Sequence, residues 1–185
     1  MTAGSPPRPG WRPGDERADI ASMIRVDQAG EFGATRIYAG QLAVLGPRHP
    51  KTKLIEHMAA QEAEHRATFD RLIAERGVRP TLLTPFWDRA GFALGAVTAL
   101  ISPEAAMACT AAVETEIDRH YEEQRRDLGE RDPELSEVIE RFQAEELEHK
   151  ETALAHGAEQ AVAYPVMSAL IRLGCRAAIG LSKRV

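Results

Sequence analysis

Proline and glycine punctuate this chain at intervals that leave room for long helices and little else. Pro50, Pro85, Pro103, Pro133 and Pro165 each stand where a first helical residue tolerates the loss of its N–H. Ser102, Thr84 and Asp132, just ahead of three of these prolines, suit N-caps. Gly46, Gly77, Gly129 and Gly157 fall where the preceding helices should stop, because the left-handed residue that closes a helix is most often glycine. Bracketed in this way, the sequence predicts helices over about 16–45, 51–76, 85–101, 103–128, 133–156 and 165–181, with no two-residue alternation of the kind a strand needs. The fold class is all-α.

Four of the six helices have about 24–30 residues and a length of roughly 36–45 Å, the scale of a four-helix bundle. The short turns after the first and the fourth helix make two antiparallel hairpins. The stretch from Gly77 to Ser102, with the third helix inside it, is left as the long crossover between them, as in a ferritin-like bundle. With 185 residues, 44% of them hydrophobic, the chain fills one domain and not two. That domain is expected over 15–185, after a Pro- and Gly-rich tail, MTAGSPPRPGWRPG, over 1–14 that has no apolar stretch of a secretory signal.

The charge balance, 28 acidic against 23 basic side chains and a net −5, excludes the basic face of a nucleic-acid binder. Cys109 and Cys175 form no CxxC, so a zinc ribbon, a rubredoxin-type iron site and a disulfide framework are all excluded, and a reducing compartment is the default. Basic character is confined to the C-terminal segment, where Arg172, Arg176, Lys183 and Arg184 occur without an acid.

Against this background, acids sit where acids should not. In the second helix Met58, Glu62, His65, Phe69 and Leu72 share one face, and in the fifth Ile139, Phe142, Glu146, His149 and Ala153 do the same. Each stripe holds a Glu-x-x-His pair, which projects two side chains toward one metal from a single helix. The first helix carries Ile24, Glu31, Thr35, Tyr38, Leu42 and Leu45 inward, and the fourth Met107, Thr110, Glu114, Ile117, Tyr121 and Leu128. Each hairpin therefore has one lone Glu followed by one Glu-x-x-His, as a duplicated half-site would. Glu116 competes with Glu114, although its stripe of Cys109, Val113, His120 and Glu123 is less apolar, while Glu64, Glu145 and Glu148 read as solvated or supporting groups.

A lone core Glu or His is usually a satisfied hydrogen-bonding residue, but four buried carboxylates together cost several kcal/mol each unless something neutralises them. Two divalent ions would do so. The set Glu31, Glu62, His65, Glu114, Glu146 and His149 has no thiolate and points to iron or manganese with open positions for oxygen chemistry. Glu62 and Glu146, beside the histidines, are the expected bridges, and Glu31 and Glu114 the expected terminal ligands.

The strings IRVDQAGEFGATRIYAGQ, QEAEHRATF, AVETEIDRHYEEQ and EELEHKETALAHGAE resemble the demethoxyubiquinone hydroxylase family of di-iron carboxylate monooxygenases, over about residue 20 to Val185. Gln28 and Phe32 stand where the family often has His and Tyr. The resemblance implies two iron ions, O2 as oxidant, hydroxylation of a demethoxyubiquinol ring in ubiquinone biosynthesis, and NADH as electron donor, although no Gly-rich dinucleotide motif is present. It also places His120 and Tyr121 on the substrate side. For Tyr121 the alternative is a core aromatic with a satisfied hydroxyl.

A polyprenyl quinone stays in the bilayer, so a peripheral enzyme at the cytoplasmic face of a bacterial cell membrane is expected, touching lipid through 85–113 and 165–185. Between 90 and 113 the only charge is Glu104, but Pro103 divides the stretch into pieces shorter than the roughly 20 residues of a span. The last helix combines Val166, Leu170, Leu173, Ala177 and Leu181 with Arg172, Arg176 and Lys183, a pattern for anionic lipid surfaces whose bland reading is a lid on the bundle. A homodimer or a complex with other ubiquinone-synthesis proteins is open. Two other functions compete: a ferritin-like peroxidase or iron oxidase, and a membrane-associated quinone- or lipid-binding protein without catalysis.

Overall fold

The computed structural model describes residues 16–184, and the expected tail over 1–14 lies outside them. Helices α1 (Glu16–Leu45), α2 (Thr52–Arg76), α3 (Thr84–Ile101), α4 (Pro103–Leu128), α5 (Pro133–Ala155) and α6 (Tyr164–Ser182) follow one another, with one 3₁₀ turn at Ala158–Gln160 and no strand among the described residues. All six starts and stops lie within about a residue of the expected ones. Gly46, Gly77, Gly129 and Gly157 all have positive φ, as closing residues should. Ser102 and Asp132 accept the amides of Ala105 and Leu135 as N-caps. Thr84 does not cap: it is the first helical residue, Leu83 stands before it, and its hydroxyl donates back to the Thr81 carbonyl. The turn 81–84 claims that hydroxyl, since Thr81 Oγ1 in turn accepts the Leu83 amide.

α1 packs on α2 and α4 on α5, and α1 meets α4, which makes the four-helix bundle. α3 crosses back along α1, and α6 lies along α4. The α1–α3 seam is unusually close: a Cβ on Gly95 would stand 1.9 Å from the Ile37 carbonyl oxygen, and one on Gly40 2.2 Å from that of Phe92. Only glycine lets the two backbones approach so far.

Inside the bundle the apolar core is divided. One cluster gathers Ile24, Phe69, Leu72, Leu128, Ile139 and Phe142, and the other Ile55, Met58, Met107, Ala108 and Ala153. Glu62 and His65 lie between Met58 and Phe69 on α2, and Glu146 and His149 between Phe142 and Ala153 on α5, so the acids are sealed above and below by hydrocarbon.

Candidate metal centre

Glu31, Glu62, His65, Glu114, Glu146 and His149 are all buried, none exposing more than 2% of its surface. Their donor atoms converge as two groups of four: Glu31, Glu62, His65 and Glu146 in one, Glu62, Glu114, Glu146 and His149 in the other, each within 4.8 Å throughout. Glu62 and Glu146 belong to both groups, the arrangement expected of bridges. His65 Nδ1 lies 3.1 Å from Glu146 Oε1 and 3.4 Å from Glu31 Oε2, and His149 Nδ1 lies 3.2 Å from Glu62 Oε1 and 3.3 Å from Glu146 Oε2.

Charge crowding shows in the titration of these groups. Burial, then the neighbouring carboxylates, pushes Glu62 and Glu114 well above the usual range, and burial raises Glu31. Glu146 goes the other way: burial opposes its charge, but the adjacent imidazoles of His149 and His65 outweigh it. Among the described residues, both oxygens of Glu62, one each of Glu31, Glu114 and Glu146, and Nδ1 of His149 have no hydrogen-bond partner. Buried polar atoms are seldom left so. Orphaned oxygens and an imidazole nitrogen turned to one point, without sulfur, fit hard divalent ions with mixed carboxylate and imidazole ligands.

The outer atoms are satisfied. Tyr38 donates to Glu114 Oε1 at 3.1 Å, and Tyr121 donates to Glu31 Oε1. The outward nitrogen of His65 meets Glu145 Oε2 at 2.7 Å, and that of His149 meets Gln61 Oε1 at 3.0 Å. Sequence pattern does not single out Gln61, yet it carries a signal: Gln61 and Glu145 immediately precede the two Glu-x-x-His pairs. Tyr38 falls in the core stripe of α1 with nothing to mark its hydroxyl. Asp27 escapes the pattern as well; it is buried one turn before Glu31, accepts from Gln124 Nε2 at 2.8 Å and lies 3.4 Å from His120 Nε2.

Glu116 is also buried but faces away from this centre. It accepts from Arg172 Nε at 2.6 Å and Arg176 Nε at 2.8 Å, and these guanidiniums, Arg176 foremost, hold its carboxyl down at about 2. Glu64 and Glu148 are exposed. The pairing alters the role of α6, because two of its three cations in the amphipathic pattern are already engaged by an acid of α4.

Between α1, α3, α4 and α6 runs an apolar cavity of about 500 Å³, walled by Val26, Ile37, Leu94, Val113, Ile117 and Ile171 among others. Val113 is the neighbour of Glu114 on α4, so the wall and the carboxylate cluster share a helix. His120 and Tyr121 are not among the residues that line it. Phe86, Val97 and Leu100 on α3 and Val166, Leu170 and Leu173 on α6 are exposed. Among the described residues no helix is long and apolar enough to cross a membrane.

A family model described as ubiquinone biosynthesis protein COQ7 matches residues 18–182. A 3-demethoxyubiquinol 3-hydroxylase of Rhodospirillum rubrum is 54% identical over 175 residues, covering 94% of this chain and 82% of its own. The human NADPH-dependent 3-demethoxyubiquinone 3-hydroxylase, mitochondrial, is 51% identical over 173 residues, 91% of this chain and 79% of its own. The 5-demethoxyubiquinone hydroxylase, mitochondrial, of Saccharomyces cerevisiae is 46% identical over 186 residues, 92% of this chain and 80% of its own.

Proposed function

The chain belongs to the ubiquinone biosynthesis protein COQ7 family, and on that premise we propose that it hydroxylates the ring of a demethoxyubiquinol with O2, using two iron ions held by Glu31, Glu62, His65, Glu114, Glu146 and His149. The observation that carries the reading is the convergence of orphaned donor atoms from these buried residues into two groups that share Glu62 and Glu146. Iron, when bound, supplies the oxygen-activating and electron-transferring chemistry that no side chain in the set possesses.

The side chains have separate tasks. Glu62 and Glu146 span both positions, and Glu31 and Glu114 complete one each. Tyr121 and Tyr38 fix the orientation of the two terminal carboxylates by donating to them. The apolar plugs on either side exclude water, which strengthens every charge interaction inside. The cavity beside Val113 suits an apolar quinone ring and the start of its tail. Tyr121 and its neighbour His120, which do not line that cavity, act on the substrate side only indirectly in this reading, Tyr121 through its hydroxyl on Glu31 and His120 beside Asp27. Electrons come from a reduced nicotinamide; NADH serves here, whereas the human relative's name specifies NADPH.

The exposed apolar residues of α3 and α6, of which Phe86 and Leu170 also line that cavity, rest on the bilayer, at the cytoplasmic face of a bacterial cell membrane. Iron-loaded protein given a short-tailed demethoxyquinone, NADH or NADPH and ¹⁸O2 should return quinone heavier by one labelled oxygen. Unlabelled product with iron bound and peroxide consumed would instead make the protein a peroxidase.

A further inference from the structure

The two halves of the centre repeat, but their supports do not. An imidazole whose Nδ1 faces a cation must carry its proton on Nε2, so the group beyond Nε2 has to be an acceptor. For His65 that acceptor is a carboxylate, Glu145, at 2.7 Å, and for His149 it is a neutral amide oxygen, Gln61, at 3.0 Å. The supports are crossed. Gln61 precedes Glu62 on α2 and holds the histidine of α5, while Glu145 precedes Glu146 on α5 and holds the histidine of α2. A repeat that places the same position of each hairpin behind the other's histidine would give equal halves if both supports were alike.

They differ by one formal charge. A carboxylate behind an imidazole makes its metal-facing nitrogen a stronger donor, and groups in this position alter metal affinity by roughly 10–100-fold. Glu145 is part-exposed, with 32% of its side chain accessible, yet His65 itself exposes only 1%, so the hydrogen bond runs from a dry ring to a carboxylate at the bundle surface.

We propose that Glu145 and Gln61 are positioning residues that make the two metal positions unequal, so that the ion held by His65, Glu31, Glu62 and Glu146 binds more tightly and fills first. The proposal rests on the di-iron reading above and adds an order of occupancy to it. The acceptor on Nε2 also keeps a proton on that nitrogen of each ring, which turns Nδ1 toward the carboxylate cluster.

The test is a stepwise titration of the full-length, metal-free protein with cobalt(II) under argon. Calorimetry reads the affinities, and the shifted ring N–H signals of His65 and His149 in the NMR spectrum identify which position fills. Wild type should fill at His65 first. Glu145→Gln should weaken that step by about 10-fold or more and leave the other within twofold. Gln61→Glu should strengthen the His149 step and bring the two together; it adds a support, so it also covers the case in which Glu145→Gln folds poorly. Equal affinities in wild type, filling at His149 first, or a Gln61→Glu variant with unchanged steps would each overturn the proposal while leaving a two-metal protein intact. A chain that binds no cobalt at either position would sink the di-iron reading itself, and with it this one.

Discussion

Among the described residues neither oxygen of Glu62 has a hydrogen-bond partner, although the residue is fully buried. In the di-iron reading a cation completes such a group, and removal of the cation should reveal its cost. Glu62→Ala and Glu146→Ala should each lose both ions and all hydroxylation together, since each residue serves both positions; metal analysis beside turnover checks this, and a variant with two irons per chain would refute the bridging role. Stability should move oppositely with metal. Metal-free Glu62→Leu, which removes the unpartnered oxygens, should be more stable than metal-free wild type by about 1–3 kcal/mol, the scale of a buried polar group without a partner, and the order should reverse once iron is present. At this scale the sequence is legible wherever a polar residue interrupts an apolar stripe, which is how all six donors stand out. It is not legible for Asp27 or Tyr38. Asp27 lies in the polar string VDQAGE, and nothing distinguishes the hydroxyl of Tyr38 from that of any core tyrosine until Glu114 is found beside it.

At the scale of elements, α1 and α3 are joined by backbone proximity and α4 and α6 by ion pairs. Gly95→Ala, which would force a Cβ against the Ile37 carbonyl, should cost about 1–3 kcal/mol of unfolding free energy. Gly180→Ala on α6 meets nothing within 4 Å and should stabilise the helix by up to about 1 kcal/mol. Chemical denaturation of the pair checks both, and a destabilised Gly180→Ala would show hidden contact at α6. The hairpin turn between α4 and α5 supplies a pH-dependent case. Burial opposes the charge of Asp132, but Arg76 and the Leu135 amide outweigh burial and hold its carboxyl below the ordinary value. A carboxylate depressed by folding adds stability above its unfolded value that is lost as pH falls through its folded one. Asp132→Ala should therefore cost about 1–2 kcal/mol at neutral pH, and the gap from wild type should close below about pH 4; melting curves from pH 2 to 7 measure it, and a gap independent of pH would leave the cap geometry as the whole effect. Proline and glycine make these element boundaries legible because their backbone chemistry is local. The bond from Glu116 to Arg172 and Arg176 is not legible, because it joins positions 56 and 60 residues apart with no pattern linking them.

For the whole molecule, the engagement of Arg172 and Arg176 changes what should hold it to lipid. Glu116 balances one of their two charges and ties both guanidiniums to α4, so in the membrane reading apolar contact through α3 and α6 should carry more of the attachment than electrostatic attraction. The protein should co-float with quinone-bearing zwitterionic vesicles, and most of that flotation should survive about 0.5 M salt, where charge attraction is screened within a few ångströms. A Leu100→Glu, Leu173→Glu double variant should stay at the bottom of the gradient with an unchanged melting temperature, since both leucines are exposed in the free protein. Loss of wild-type flotation on adding salt would return the attachment to the basic residues. Sequence pattern alone counts those arginines as lipid-facing, because helix-wheel reasoning sees charge on a face and not the acid that a neighbouring helix turns toward it.

The two groups of donors each draw on both hairpins: the first takes Glu31, Glu62 and His65 from α1 and α2 but needs Glu146 from α5, and the second takes Glu62 from α2. A ribosome that has delivered the first hairpin has thus made three donors of one set and completed neither. Only after residue 149 emerges do all the donors exist, so in the di-iron reading neither position can be completed until the last helix of the second hairpin has been made.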